Sequence, residues 1–412
     1  MQKLLSISKD GDLTQSQTYA VLSQRLALDA NTPQYLFCST NPLQALETMQ
    51  EQIANHMRVC VAIEDGIETL RGIASSEPIL SEAASRVMLT KKFSLHGALS
   101  GVLSGFCIDQ GDRGELIVAS FFTWARDQVV KSKLPIPEGQ LCPYFSVNEL
   151  FKQLFTESAI SKLGTGPSLH HSKDMLQPFG TVFQNARMHF NHIIKPQEQK
   201  ILQRPYLLYF MARGAAAMGA NCQPGFDAVY PYLYNGTDLD VKKVGFIIVQ
   251  VKNDSTGPSR GRGQVDDIFQ KMDPFECGLA HNIADKENGR FPIPIIRILF
   301  SLSTSKCDFW QHTYNTPSQG AKNIQDGAPL FTSYDYVCVG VDPSILRPTQ
   351  DAYPSWKALV NKRDRWGSFY DVTARDVLRS QLPGNASNVA HFSSWSSSSI
   401  LDDRREYINQ FL

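Results

Sequence analysis

The sequence predicts a mixed α/β fold in which helices flank a central sheet. Three runs of apolar, β-branched and aromatic residues carry this prediction, at residues 244–251, 291–302 and 334–341. They are apolar on both faces, which is typical of strands that are covered on both sides. Helix-like segments separate them, and this alternation indicates an α/β sheet. With 412 residues, 42% of them hydrophobic, the chain can form a sizeable core and more than one domain.

The charge balance, the cysteine spacing and the length of the apolar runs limit what kind of protein this can be. Forty Lys and Arg balance forty Asp and Glu, so any binding to nucleic acid must come from a local basic patch. The eight cysteines form no Cys-x-x-Cys pair, which argues against a zinc ribbon or a compact disulfide scaffold. The first apolar run is too short for a signal peptide, and no stretch approaches about 20 apolar residues. We therefore expect an intracellular protein with no membrane span, and a nuclear location is left open.

The first 110 residues are predicted to be mainly helical. Apolar residues recur at helical spacing in residues 16–28, 41–56 and 81–103, and the second of these segments starts with a capping residue and a proline. No catalytic pattern stands out in this region. We interpret it as a helical packing or interaction region, either a separate domain or a cover on the core.

A strong helix is predicted from Glu115 to Val130, after the break at Gly111 to Gly114. Glu115 would then lie in the first turn. Such an acidic residue either stabilises the helix dipole by about 0.3–1 kcal/mol or serves as a metal-assisting carboxylate. The following residues, 131–220, are interpreted as a largely helical insertion, with its alanine run at 215–217 in a helix that packs on the sheet.

Two strands are expected to bring Asp227, Gln250 and Lys252 to one place. Asp227 opens the apolar run at 227–233, and a polar turn separates it from the strand at 244–251. Gln250 and Lys252 are two residues apart, so both point to the same face of a strand. Asp227 and Lys252 have ordinary alternatives, as a loop cap and a strand-end lysine. Gln250 interrupts an apolar strand, where an unsatisfied amide would cost about 1–3 kcal/mol.

A polar, glycine-containing loop follows Lys252 and carries Arg260 and Arg262. Its arginines could contact a phosphate backbone, or the loop could simply be solvated. A helix is predicted at 265–272. No phosphate-binding glycine motif occurs in the chain, so we expect no nucleotide cofactor. Residues 346–412 form a C-terminal extension with a weak core signal and a serine-rich segment at 393–399, which is expected to be mobile.

The order of a helix with Glu115, a strand with Asp227 and a strand ending in Gln250-x-Lys252 resembles the restriction endonuclease-like, or PD-(D/E)XK, nuclease superfamily. The runs DRGELIVASFFTWARDQVV and QVKN are similar to fungal nuclease-type proteins that are linked to mobile elements or Crinkler-type effectors. The resemblance covers about residues 110–345. It implies a nuclease-like core at 111–345, with the insertion at 131–220, after the N-terminal region at 1–110.

The resemblance also implies a function, the hydrolysis of phosphodiesters in nucleic acid with Mg²⁺ or Mn²⁺. DNA is the expected substrate, and RNA is left open. Asp227 would be the main metal ligand, Gln250 a neutral ligand through its carbonyl oxygen, and Glu115 a ligand directly or through water. Lys252 would stabilise charge at the attacking water or the phosphate. Pro224 is not adjacent to Asp227, and glutamine stands where the common motif has an acid. The alternative is an inactive nuclease-fold effector that binds protein or nucleic acid.

Overall fold

A computed structural model describes the fold. The described residues are 13–28, 30–31, 42–64, 69–90, 93–105, 110–134, 143–171, 176–196, 198–220, 223–253, 261–280, 290–304 and 306–361. The described residues all belong to one compact unit. Arg260 and the serine-rich segment lie outside the described residues.

Helices and strands alternate along most of the described chain. The helices are α1 (Gln15–Ser23), α2 (Pro42–Asn55), α3 (Pro78–Met88), α4 (Leu95–Gly105), α5 (Gln110–Ser132), α6 (Val147–Leu154), α7 (Glu157–Ile160), α8 (Phe179–Val182), α9 (Arg204–Ala212), α10 (Arg262–Lys271) and α11 (Tyr353–Asn361). The strands are β1 (Ala30–Asn31), β2 (Arg58–Glu64), β3 (Thr69–Ala74), β4 (Phe145–Ser146), β5 (Arg187–Met188), β6 (His192–Ile194), β7 (Ala215–Met218), β8 (Ala228–Leu233), β9 (Val244–Lys252), β10 (Ile295–Ser301), β11 (Asp308–Gln311), β12 (Ile324–Gln325), β13 (Ala328–Pro329) and β14 (Ser333–Val339). None of the helices in the described part of the chain has the length and apolar character needed to cross a bilayer.

A mixed sheet forms the centre of the fold, in the order β11-β14-β10-β9-β8-β5-β4, with β7 beside β8 and β6 beside β7. Strand β10 runs parallel to β9 and β14, whereas β8 runs antiparallel to β9. Every residue of β9 before Lys252 is buried, and β10 and β14 are buried throughout. The predicted α/β fold is therefore confirmed, with its central strands covered on both faces.

Helix α5 packs against β9, and its Phe122 stacks on Tyr230 of β8 with 4.1 Å between the ring centroids. The helix begins at Gln110 and continues through the glycine-containing stretch that was predicted to break it. Gly114 serves close packing instead, because a Cβ atom at this position would lie 2.7 Å from Cβ of Asn253. Glu115 consequently lies in the second turn of α5, and Asp112 occupies the first.

The segment at 131–220 contains helices α6 to α9 and also supplies strands β4 to β7 to the main sheet. Its alanine run is strand β7, in which Ala217 pairs with Val229 of β8. Gly214, with φ of +67°, allows the chain to turn between α9 and β7. The interpretation of this run as a helix was wrong, because pairing with β8 overrides the helix propensity of alanine.

The N-terminal region combines helices α1 to α4 with an antiparallel sheet in the order β1-β3-β2. The prediction of a mainly helical region missed this sheet. Buried ion pairs connect the region to α5: Arg25 donates to both oxygens of Asp127, over 3.0 and 2.8 Å. Arg126 donates to Glu82 of α3 over 2.6 Å. The turn after α1 and helix α3 are thus joined to α5 by buried ion pairs.

Candidate functional site

Several strand ends of the main sheet lie side by side at one edge. Strand β6 is followed by Lys195, β7 by Gly219, and β9 ends at Lys252, while Asp227 comes directly before β8. The backbone N–H of Gly219 donates to the carbonyl oxygen of Asp227 over 2.8 Å. The register of β8 and β9, in which Ala228 faces Val249, places Asp227 opposite the next residue of β9, Gln250.

The Asp227 carboxylate is held by two donors from β9. The amide nitrogen of Gln250 lies 2.6 Å from Oδ2, and the backbone N–H of Val251 donates to the same oxygen over 2.5 Å. Because a carboxylate only accepts hydrogen bonds, the nitrogen of the Gln250 amide must face Asp227. Gln250 therefore orients Asp227 as a donor in this arrangement, whereas the sequence analysis expected its carbonyl oxygen to act as a metal ligand.

The charge of Asp227 is disfavoured by its surroundings. Burial raises the pKa of Asp227 to about 6, although the N–H of Val251, the charge of Lys252 and the hydrogen bond from Gln250 all lower it. The carboxylate of Asp112 raises this pKa further. Lys252 and Asp112 therefore lie close enough to Asp227 to interact with it electrostatically.

A cavity of about 160 Å³ lies in front of Asp227. It is lined by Asp112, Glu115, Lys195, Gly219, Ala220, Gln223, Phe226 and Asp227. At this size the cavity has room for several water molecules. The structure thus brings Glu115 and Asp227 together in one cavity. From β9, Gln250 donates a hydrogen bond to Asp227, and the charge of Lys252 lowers the pKa of Asp227.

Two charged residues of the cavity were not among the predicted site residues. Asp112 is three residues before Glu115, and residues at this spacing share a helix face. The spacing of Asp112 and Glu115 can be read from the sequence. It was missed because the two glycines beside Asp112 predicted a chain break, so Asp112 was placed outside the helix. Lys195 follows a short strand in a segment predicted to be helical, so no sequence pattern connects it with the sheet edge.

The N-terminus of α5 is attached to the end of β9. The side-chain nitrogen of Asn253 donates to the carbonyl oxygen of Gln110 over 2.8 Å. Together with the close contact between Gly114 and Asn253, this bond sets where the first turns of α5 lie. Asp112 and Glu115 are thereby directed to the cavity next to Asp227.

The loop that leads into Asp227 is fixed by Gly225. This residue has φ of +92°, a backbone conformation that favours glycine. A Cβ atom here would lie 2.2 Å from the carbonyl oxygen of Lys271 and 2.6 Å from Sγ of Cys277. The loop therefore packs directly against the last residue of α10 and the segment that follows it, and this contact fixes the position of the backbone before Asp227.

Arg262 is the first residue of α10 and is exposed. One of its guanidinium nitrogens donates to the carbonyl oxygen of Thr313 over 2.7 Å. Arg262 does not line the cavity, and any contact it makes with nucleic acid would be peripheral to it.

The acidic residues of the cavity fit Mg²⁺ or Mn²⁺ in only one of the ways in which proteins bind these ions. Within the described ranges, no group of three or more His, Cys, Asp or Glu residues is arranged to hold a metal ion. Proteins usually bind Mg²⁺ through one or two carboxylates, with waters and substrate phosphates as the remaining ligands. Asp227 and Glu115 line a cavity with space for several waters, so they fit binding through two carboxylates and waters.

Comparisons with known proteins give one match. No curated protein and no solved structure matches the chain. A family model matches residues 37–289, which is more than half of the 412 residues and includes Asp112, Glu115, Lys195, Asp227, Gln250 and Lys252. The chain therefore belongs to the family described as a domain of unknown function (DUF8736).

Proposed function

We propose that this protein is a metal-dependent nuclease that hydrolyses phosphodiester bonds, with DNA as its expected substrate. One observation carries the proposal. Asp227 is hydrogen-bonded to Gln250 of the antiparallel neighbour strand, and Glu115 of α5 lines the same cavity as Asp227. This is the order of helix and strands on which the resemblance to the restriction endonuclease-like superfamily rests.

Each residue has a role in the proposed reaction. Asp227 and Glu115 would hold Mg²⁺ or Mn²⁺, which when bound neutralises charge on the phosphate and activates a water molecule. Gln250 keeps the Asp227 carboxylate oriented through its amide nitrogen. Lys252 places a positive charge beside Asp227, where it can stabilise the charge that develops on the phosphate.

Cleavage of supercoiled plasmid with Mg²⁺ or Mn²⁺ tests the proposal, with single-stranded DNA and RNA in parallel. Asp227→Asn and Lys252→Gln are expected to abolish metal-dependent cleavage. Lys242→Gln removes an exposed lysine near the turn between β8 and β9, at the opposite end of these strands, and should cleave as the wild type does.

Two results would contradict the proposal. Failure of the wild type to cleave any of the three substrates with either metal would favour a binding protein on this fold. Cleavage that survives both Asp227→Asn and Lys252→Gln would place the activity outside this cavity.

A further inference from the structure

Lys195 lies in the cavity wall that is supplied by β6, two strands away from Asp227. Strand β6 pairs with β7 and β7 pairs with β8, so Lys195, Gly219 and Asp227 follow one another across the sheet edge. Neighbouring strands are about 4.8 Å apart, so about 10 Å separates the strands that carry Lys195 and Asp227. Lys195 is partly buried, and it lines the cavity together with Asp112 and Glu115 of α5.

Gly219 keeps the space between Lys195 and Asp227 open. A Cβ atom on Gly219 would lie 2.9 Å from the carbonyl oxygen of Phe226 and 3.4 Å from Cβ of Gln223. Both of these residues line the cavity. A larger residue at 219 would therefore push into the cavity or displace the loop that leads to Asp227.

The charges of the cavity create a problem for an anionic substrate. Asp112, Glu115 and Asp227 contribute three carboxyl groups to the cavity lining, and a nucleic-acid backbone carries a negative charge at every phosphate. A metal ion offsets part of this repulsion. Lys252 acts from β9, on one side of Asp227, and Lys195 supplies a cation on the other side.

We propose that Lys195 is a second substrate-binding cation of this site and contacts a nucleic-acid phosphate next to the one that is cleaved. The inference rests on the proposed nuclease function and extends it. A lysine is suited to this role because its ammonium group is a compact charge on a flexible stem. With Lys195 and Lys252 on opposite sides of Asp227, the cavity binds the substrate through its backbone, without reading the base sequence.

Binding of a short fluorescent DNA duplex tests this role, with Ca²⁺ in place of Mg²⁺ and a salt series from about 50 to 200 mM. Lys195→Gln is expected to weaken binding and to lower the slope of log affinity against log salt by about one. Lys195→Arg keeps the charge and should keep the wild-type slope, as should Lys242→Gln. Calorimetry with Mn²⁺ should give the same metal affinity for Lys195→Gln as for the wild type.

The outcomes separate the two proposals. If the wild type cleaves DNA and Lys195→Gln keeps the wild-type slope and affinity, the role of Lys195 is wrong and the nuclease function stands. If Lys195→Gln loses Mn²⁺ binding, Lys195 acts by positioning the carboxylates, and its assignment to a phosphate is overturned. If the wild type neither binds nor cleaves nucleic acid, the proposed function is wrong and the role of Lys195 falls with it.

Discussion

Gln250 and Asp227 are joined across the β8–β9 pair by a hydrogen bond of 2.6 Å from the Gln250 amide nitrogen to Oδ2 of Asp227. The N–H of Val251 donates to the same oxygen. These bonds orient the carboxylate, while burial disfavours its charge and raises its pKa to about 6. A pKa that burial and a charged neighbour shift in this way is typical of functional sites.

Asp227→Asn is expected to stabilise the protein at neutral pH. The pKa of Asp227 rises from 3.8 to about 6 on folding, so the folded state binds more protons between these values and stability falls as the pH rises through about 6. At about 1.4 kcal/mol for each pKa unit the effect has an upper value of about 3 kcal/mol, which partial exposure reduces. Asparagine avoids this loss because its carbonyl oxygen can accept both donors that now reach Oδ2.

Urea unfolding between pH 4 and 8 measures this effect. The difference in unfolding free energy between Asp227→Asn and the wild type should be small near pH 4 and should grow until about pH 7, in favour of the variant. Asp326→Asn is the control, because Asp326 is an exposed turn residue. A difference that does not change with pH would show that Asp227 is not the group that titrates.

Gln250→Glu is expected to destabilise the protein, and more at pH 8 than at pH 5. The change removes a donor to Asp227 and places a second carboxylate at hydrogen-bond distance, so the two groups would share one proton where the pH allows it. The cost at pH 8 should be about 1–3 kcal/mol. Mn²⁺ should reduce it, because a cation between the carboxylates removes their repulsion.

Urea unfolding with and without Mn²⁺ checks this prediction. Gln325→Glu, at an exposed position of β12, controls for the added charge and should change stability little under any of these conditions. An equal loss for Gln250→Glu at both pH values, unaffected by Mn²⁺, would mean that repulsion with Asp227 is not its cause.

The central sheet could be predicted from the sequence because its strands are buried on both faces. The run at 244–251 lies within β9, the run at 291–302 contains β10, and the run at 334–341 overlaps β14. The proximity of Asp227 and Gln250 was also predictable, since a short polar segment joins two consecutive apolar strands. In these strands the local pattern and the tertiary burial agree.

Other parts of the site depend on contacts that no local pattern reveals. Strand β7 is an alanine run with high helix propensity, and only its pairing with β8 makes it a strand. Lys195 reaches the cavity only because β6 pairs with β7. The start of α5 was misplaced because Gly114 was interpreted as a break, whereas it allows close approach to Asn253.

Gly225→Ala is expected to destabilise the protein by more than about 2 kcal/mol. The left-handed backbone alone costs a non-glycine residue on the order of 1–3 kcal/mol. The new methyl group would also clash with the carbonyl oxygen of Lys271. This oxygen is a backbone atom, so no side-chain rotation can relieve the clash. The loop before Asp227 must therefore shift, so the variant should also lose cleavage in the plasmid assay.

Thermal and urea unfolding check the stability of this variant. Gly263→Ala provides the matched control, because Gly263 lies in α10 and a Cβ atom there would have no atom within 4 Å. That change should be neutral or stabilising by about 0.5–1 kcal/mol, since alanine favours helix over glycine. Equal effects of the two changes would argue against the close contact at Gly225.

Arg25→Leu is expected to destabilise the protein by about 3–5 kcal/mol, because it removes one partner of a buried ion pair. Burial would raise the pKa of Asp127, but the charges of Arg25 and Arg126 outweigh burial and hold that pKa below its usual range. The stability that this pair contributes is present at neutral pH and is lost as the pH falls through the lowered pKa.

A double variant, Arg25→Leu with Asp127→Leu, should lose less stability than the sum of the single changes, because it leaves neither of these two charges buried without its partner. Urea unfolding at pH 7 gives the coupling energy, and the exposed pair Lys162–Asp308 serves as a control with an expected coupling of about 0–1 kcal/mol. Additive losses at Arg25 and Asp127 would mean that their ion pair does not hold α1 against α5.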